Sequence, residues 1–461
     1  MKLTVLGGGG ARIPTLVRAV VGDRLTPFDR IDLFEPAQDR RESLGRLSVE
    51  LAGALGYPET VRVTADVEEA LTGADYVFSA VRVGGDAGRI IDEQVALERG
   101  VVGQETTGPG GCAMALRTIP VVLGYCEVIA RVAPRATLVN FTNPAGIITQ
   151  AVTAQGKVRA VGVCDTPSQT LTRLIEFLGA DPEQVTFSYG GLNHLGWISS
   201  VVVDGQERID ELVANYEALR AYSHRFAFDP DLVRRLGCIP TEYLYYFYDS
   251  AAYLQGVARA GTSRGEDVHR FNEALVKKVI KAFASGGVDD AWAAYSQVLN
   301  ARRASNMRLD FEGVRAEVED SSGPGPDPLE AKAGKIGGYE GVALRVIDGL
   351  SGAEPARVVV NTRNGPTLDF LQPDDVVEVP ALVDAKGVAP LANAGLSGAN
   401  LGLVLQVKEY ERAVVQAALT GDAELAALAL ALHPLVPGLS AAKEMMRLYR
   451  ERHRPYLDYL H

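Results

Sequence analysis

Histidine, cysteine and tryptophan are all scarce in this chain: six, four and two residues respectively among 461. The four cysteines, Cys112, Cys126, Cys164 and Cys238, show no paired spacing. That excludes a disulfide-stapled scaffold and points to free thiols in a reducing, cytoplasmic compartment. Nothing resembles a secretory leader, because Met1-Lys2 runs directly into the apolar Leu3-Thr4-Val5-Leu6 and then glycines. The most apolar late stretch, Leu425 to Leu432, falls far short of the roughly 20 residues of a membrane span. No basic run is present, and Lys plus Arg number 46 against 58 Asp plus Glu, a formal charge of −12. Nucleic acid is therefore not the expected partner, although a local cationic pocket for a small anion is compatible with that balance. No internal repeat and no low-complexity segment occurs.

What is present is an ordinary globular composition, 47% hydrophobic and 23% charged. The chain is longer than one hydrophobic core usually supports, which predicts two domains. Over the first part, short apolar runs alternate with helix-like segments, the pattern of a parallel sheet with crossover helices. The predicted strands are Leu3–Leu6, Ile31–Phe34, Val61–Thr64, Tyr76–Ala80, Thr137–Phe141 and Ala160–Val163. Several of these runs are rich in Val and Ile and nearly continuous, which suits strands covered on both faces. Thr166-Pro167 is expected as a cap and first helical position, with Gly179 closing that helix.

The remainder differs in kind. Val185–Val203 is expected as an antiparallel pair and Asp229–Lys281 as mostly helix. Val358–Asn361 and Val376–Val379 are expected as strands of a small sheet. Residues 321–328 form a breaker-rich loop, Ala381–Asn400 a Gly- and Ala-rich loop, and Leu403–Leu432 helix. The fold class is thus α/β: a Rossmann-type parallel-sheet domain over residues 1–165, of the malate and lactate dehydrogenase kind, followed by an α+β domain over 166–461.

Gly7, Gly8, Gly9 and Gly10 follow the first strand and precede a helical segment. Glycines there permit a tight turn and bring backbone N–H groups to a pyrophosphate at a helix N-terminus. Counted from Gly7, the third glycine of G-x-G-x-x-G would fall on Arg12, so the fingerprint is incomplete. Glu35 ends the second strand, where a carboxylate accepts from ribose hydroxyls and disfavours the extra phosphate of NADP. Placement of turn and acid together selects NAD, with a flavin as the weaker alternative.

Ligands of an open parallel sheet sit outside the carboxyl ends of its strands. Those ends carry Arg82, then Asn140 and Asn143, then Cys164 and Asp165, with a polar glycine-rich loop at Gln104–Gly111. His194 sits in an apolar context, and a lone histidine or cysteine is more often a core residue than a ligand. Spacing alone does not join Cys164 and His194 into a metal site. Tyr243-Leu244-Tyr245-Tyr246-Phe247-Tyr248 packs four tyrosines into six residues, most of them expected in core or interface. Arg89 and Arg264 are candidates for gripping an anion.

Taken as an ordered set, these segments resemble family 4 of the glycoside hydrolases, the NAD- and Mn-dependent 6-phosphoglycosidases. The set comprises the N-terminal glycine loop, Arg82-Val83-Gly84 through Arg89, Gly103-Gln104-Glu105-Thr106 with Gly108–Gly111, and Asn140–Pro144. It continues with Cys164-Asp165, Gly191–His194, Tyr243–Tyr246, Val360-Asn361 with Asn364-Gly365, and Glu378-Val379-Pro380. The resemblance implies oxidation of the sugar at C3 by NAD, C2 deprotonation, elimination of the aglycone from C1, water addition and return of the hydride. This family is an exception to the usual pair of carboxylates. It further implies Tyr243 as the C2 base, Asp165 as proton donor, and Cys164 and His194 as ligands of a Lewis-acidic cation. Gly7–Gly10, Glu35 and Arg82 would bind cofactor; Arg89, Asn143 and Arg264 would bind substrate. Donor softness alone would favour zinc over manganese; the resemblance implies Mn²⁺. It also implies a 6-phosphorylated glycoside as substrate and a homodimer or homotetramer.

Two departures bear on specificity. Members commonly carry Ser-Thr after the glycines, near the substrate phosphate, where this chain has Gly10-Ala11-Arg12. Asp165 after Cys164 resembles the α-acting pattern, whereas the glycine loop resembles the 6-phospho-β-glucosidase branch, and overall similarity favours β. The alternatives are a 6-phospho-α-glucosidase, an enzyme of non-phosphorylated glycosides, a 2-hydroxy-acid dehydrogenase, and a catalytically silent NAD-binding sensor of sugar phosphates.

Overall fold

A computed structural model describes residues 1–23, 28–304, 339–391 and 396–461. Strands β1 (Lys2–Leu6), β2 (Arg30–Phe34), β3 (Val61–Thr64), β4 (Tyr76–Ser79), β5 (Thr137–Asn140) and β6 (Arg159–Val163) occupy the predicted positions. They lie parallel in the spatial order β3-β2-β1-β4-β5-β6, which is the Rossmann arrangement. β1, β4 and β5 are buried along their whole length, because helices cover both faces.

Strands β7 (Val185–Leu192) and β8 (Leu195–Val203) form the expected antiparallel pair, with β9 (Gln206–Glu207) and β10 (Ile239–Pro240) short additions to β8. β11 (Ala356–Arg363) and β12 (Val376–Asp384) correct the expectation of a separate small sheet. β11 pairs antiparallel with β6 through Val360↔Val163 and Asn361↔Gly162, and β12 bridges β11 to β7. One sheet of thirteen strands results. Period and composition identify a strand but not its neighbour, and this pairing is long-range.

Three further expectations are adjusted. The segment beginning at Ala381 is not a loop: β12 continues to Asp384, β13 (Gly387–Pro390) pairs back onto it, and a helix starts at Gly398. The helix after β6 runs Thr166–Leu178 with Asp165, not Thr166, at its N-cap and Gly179 left-handed at its end. Gly108–Gly111 belong to the first turn of helix Gly108–Val132. The loop 321–328 lies outside the described residues.

Helix Gly108–Val132 is, among the described residues, the one helix long and apolar enough to cross a membrane, yet 61% of its most apolar window is buried within the protein. Its Arg117 is locked to Asp92 of helix Gly85–Leu97 by a two-pronged ion pair at 2.5 and 2.7 Å. His453, just past helix Leu439–Arg452, stands 2.8 Å from the same carboxylate. The C-terminal end is thereby fixed to the helix that carries Arg89.

Among the described residues, Asp348 on helix Tyr339–Ser351 has a buried carboxylate oxygen without a hydrogen-bond partner. Burial, then Glu354, pushes its carboxyl up to about 6. Because the folded value exceeds the unfolded one, its stabilising protonation is complete below about 4 and lost as pH rises through about 6. Asp348→Asn is expected to stabilise the protein at pH 8 by about 1–2 kcal/mol and to leave stability at pH 4 nearly unchanged. Denaturant unfolding at both pH values measures this.

Candidate active site

The sheet reverses direction of winding between β1 and β4, so a crevice opens beyond their carboxyl ends. A cavity of about 630 Å³ occupies it, lined by Gly7, Gly10, Glu35, Arg82, Arg89, Asn143, Cys164, Asp165, His194, Tyr243 and Arg264. The side chains of Glu35, Arg82, Arg89, Asn143, Cys164, Asp165, His194, Tyr243 and Arg264 therefore line one space. Gly8 and Gly9 build the turn beneath it without lining it. Asn140 does not line it: its side-chain oxygen accepts from Thr142 N–H at 3.1 Å, and its amide donates to Thr149 Oγ1 at 3.2 Å, which shapes the loop presenting Asn143.

Gly7 adopts φ +87°, and a Cβ there would stand 2.7 Å from the carbonyl oxygen of Ala80. A side chain is thus excluded where the turn passes closest to β4. Glu35 Oε2 accepts from Gly9 N–H at 3.0 Å and Oε1 from Ala37 N–H at 3.1 Å. The carboxylate is fixed at the cavity wall with lone pairs remaining. A bare glycine turn, a helix N-terminus at Ile13 and a positioned acid fit the adenosine and pyrophosphate of NAD.

Deeper in, Arg89 is 6% exposed and sits between two acids, donating to Glu93 at 2.8 Å and pairing with Glu105 at 3.0 Å. Glu93 also accepts from Gly265 N–H at 2.6 Å, tying in the start of helix Arg264–Ser285. Glu105 pairs with Arg82 as well. Burial raises the Glu105 carboxyl, but Arg82 and Arg89 outweigh it and hold the group at about 2.

Arg302, near the end of helix Val288–Ala304, was not legible in the sequence, where it is one arginine on an unremarkable helix. Burial, followed by Arg12, Arg89, Arg264 and Arg82, lowers it to about 9. Its guanidinium donates to Asn272 at 2.9 Å, and Arg264 reaches the Arg302 carbonyl at 3.5 Å. Arg12, the residue in place of a third fingerprint glycine, pairs with Asp165 at 3.4 Å. Arg302 and these four neighbouring arginines all line the cavity, and such a cluster suits an anion.

His194 occupies the two-residue turn between β7 and β8 with φ +63°, a conformation that costs a non-glycine residue free energy and often marks function. Its ring stacks on Tyr243 with centroids 3.7 Å apart and planes 2° from parallel. Burial lowers the imidazole to about 4, keeping it neutral. Burial, then Glu378 and Asp165, raises the Cys164 thiol well above its usual value. Burial, then Glu242, Cys164, Glu105 and Asp165, does the same to the Tyr243 phenol.

A neutral imidazole and a thiol lining the same cavity, with a phenol kept protonated by burial and by its acidic neighbours, fit a divalent cation that supplies the missing positive charge. Among the described residues no cluster of three His, Cys, Asp or Glu side chains forms a complete cage, so the remaining ligands of such an ion would be substrate and water oxygens.

Glu378 supports the turn from below. Its carboxylate accepts from Tyr189 at 2.6 Å and from Asn193 and Asn361 at 3.0 Å each, and burial raises it to about 6. Asn193 Oδ1 in turn accepts from Ala145 N–H at 3.1 Å, linking the His194 turn to the Asn143 loop.

This fold and cleft define a Rossmann-type α/β protein whose site spans the dinucleotide half and the later strands. The sequence matches the family described as "Family 4 glycosyl hydrolase" over residues 2–180 and its C-terminal domain over residues 189–436. The chain belongs to family 4 of the glycosyl hydrolases. It is 29% identical to the 6-phospho-beta-glucosidase BglT of Thermotoga maritima, with 99% of each chain covered. It is also 29% identical to an alpha-galactosidase of Rhizobium meliloti, covering 98% of this chain and 87% of that one. The 6-phospho-beta glucosidase of Thermotoga maritima, solved with manganese, NAD⁺ and glucose-6-phosphate, superposes with a TM-score of 0.78 at 26% identity, covering 99% of each chain.

Glu105→Gln is expected to destabilise the fold by about 3–5 kcal/mol, since it leaves two close guanidiniums without their shared buried anion. Thermal or denaturant unfolding at pH 7 measures the loss.

Proposed function

We propose that this chain hydrolyses 6-phospho-β-glucosides with NAD and Mn²⁺ as cofactors, by oxidation of the sugar at C3, C2 deprotonation, elimination of the aglycone, addition of water at C1 and re-reduction at C3. The observation that carries the reading is the shared cavity, lined by the glycine turn and Glu35, by the cluster of Arg12, Arg82, Arg89, Arg264 and Arg302, and by Cys164, His194, Tyr243 and Asp165. When bound, NAD supplies a hydride acceptor and later donor for sugar C3, and the cation at Cys164 and His194 supplies Lewis acidity and positive charge.

The chain's own groups do the rest. Arg12, Arg264 and Arg302 would hold the 6-phosphate, with Arg89 and Asn143 orienting the ring. Tyr243, stacked beside the cation's ligand, takes the C2 proton once the positive charge offsets its acidic neighbours. Asp165, at the start of helix Thr166–Leu178 and paired with Arg12, delivers a proton to the leaving oxygen. A second reading, hydrolysis of an unphosphorylated α-galactoside, draws on Gly10-Ala11-Arg12 and on the Rhizobium meliloti relative.

The protein would work in the cytoplasm. It would assemble as a homodimer or homotetramer, which would cover the exposed Leu405, Leu419, Leu428 and Leu439 of the C-terminal helices.

The test is hydrolysis of 4-nitrophenyl 6-phospho-β-glucoside, its α-anomer and 4-nitrophenyl α-galactoside, with NAD, Mn²⁺ and a reducing agent. The expected result is release from the β-phosphoglucoside, solvent deuterium at C2 and no net NADH. Stoichiometric NADH would instead show a dehydrogenase, and turnover of the galactoside alone would favour the second reading. Tyr243→Phe is expected to lower kcat about 10²–10⁴-fold, the usual range for loss of a general base. Arg302→Met is expected to raise KM for the phosphoglucoside while the same variant's NAD affinity stays near wild type, read by fluorescence titration.

A further inference from the structure

The hydrogen-bond pattern behind His194 dictates which of its ring nitrogens carries the proton. Gln104 and Thr106 lie in the buried loop that precedes helix Gly108–Val132, and both are less than 9% exposed. The loop presses so closely on that helix that a Cβ at Gly111 would stand 2.5 Å from the carbonyl oxygen of Thr106, and one at Gly110 would overlap that of Gln104. The backbone of both residues is therefore seated directly against the helix.

Gln104 Oε1 accepts from two backbone N–H groups, Thr106 at 2.6 Å and Thr107 at 2.7 Å. Two N–H donors can face only an acceptor, so that atom is the amide oxygen and not the amide nitrogen. Thr106 Oγ1 lies 2.9 Å from the same oxygen. With no proton on its partner, the hydroxyl must donate there, and its single hydrogen is then spent. The hydroxyl also lies 2.9 Å from His194 Nδ1. In that contact it can only accept, so Nδ1 carries the hydrogen. A neutral imidazole protonated at Nδ1 presents a bare lone pair at Nε2. Among the described residues Nε2 makes no hydrogen bond, and His194 lines the cavity.

We infer that Gln104 and Thr106 are positioning residues that fix the tautomer and ring plane of His194, so that Nε2 stands ready for a divalent cation. The inference rests on the cation reading of Cys164 and His194. Two backbone amides set the amide oxygen, the amide oxygen sets the hydroxyl, and the hydroxyl sets the ring. Partners of this kind behind a metal-ligating histidine commonly change metal affinity 10–100-fold when removed.

The test uses the full-length, metal-free protein labelled with ¹⁵N-histidine, with the His194 signal assigned by its loss in His194→Gln. Long-range ¹H–¹⁵N spectra report which nitrogen is protonated, and Mn²⁺ titration followed by electron paramagnetic resonance reports affinity without NAD or substrate. Wild type is expected to show the Nδ1–H form. Thr106→Val is expected to show mixed tautomers and about 10–100-fold weaker Mn²⁺ binding, and Thr106→Ser to restore both. Gln104→Met, which frees the hydroxyl to donate either way, is expected to mix the tautomers. An Nε2–H form in wild type, or Thr106→Val with wild-type tautomer and affinity, overturns the inference. If Cys164→Ser and His194→Gln leave Mn²⁺ affinity unchanged, the cation reading fails separately, and the spectra of Thr106→Val still decide the tautomer.

Discussion

The guanidinium of Arg89, buried between Glu93 and Glu105, is the contact on which the site's geometry depends. Glu93 reaches the backbone of Gly265, and Glu105 reaches Arg82 at the end of β4. One cation thereby aligns a strand end, helix Gly85–Leu97, the loop before helix Gly108–Val132 and the start of helix Arg264–Ser285. Removing several charges from water is costly, and the arrangement holds because each acid meets more than one donor. The same helix carries Asp92, whose lock to Arg117 and His453 keeps Arg89 from shifting with the chain terminus.

Supports of the His194 turn come from opposite directions in the sequence. Glu378 lies on β12 and receives Asn193, while Thr106 comes from the early loop. A histidine at positive φ would be a liability in an ordinary hairpin. Here it is over-determined by neighbours on three sides, counting the stacked Tyr243.

Much of this was readable from residue order. All six parallel strands, the β7–β8 pair and the glycine turn follow from local periodicity and from the placement of glycines. Cys164, Asp165, Asn143 and Arg82 could be selected because strand ends are where an open parallel sheet binds ligands. Arg302 could not, since nothing in helix Val288–Ala304 distinguishes it until folding sets it beside four other arginines. Gln104 stood within a loop already noticed, but its purpose depends on hydrogen bonds whose direction no sequence contains. The joining of β11 to β6 was hidden for a similar reason: about 200 residues separate the two strands, and pairing at that range leaves no local trace.

That joining has a mechanical corollary. In many two-domain enzymes the halves swing about a linker, and substrate is selected as the jaws shut. Here the linker's place is taken by a ladder of main-chain hydrogen bonds running from β3 through β6 to β10. A swing would have to shear that ladder or twist a thirteen-stranded sheet. The two walls of the cleft are accordingly coupled through the main chain, at Val360↔Val163 and Asn361↔Gly162 and again at Glu378↔Gly191.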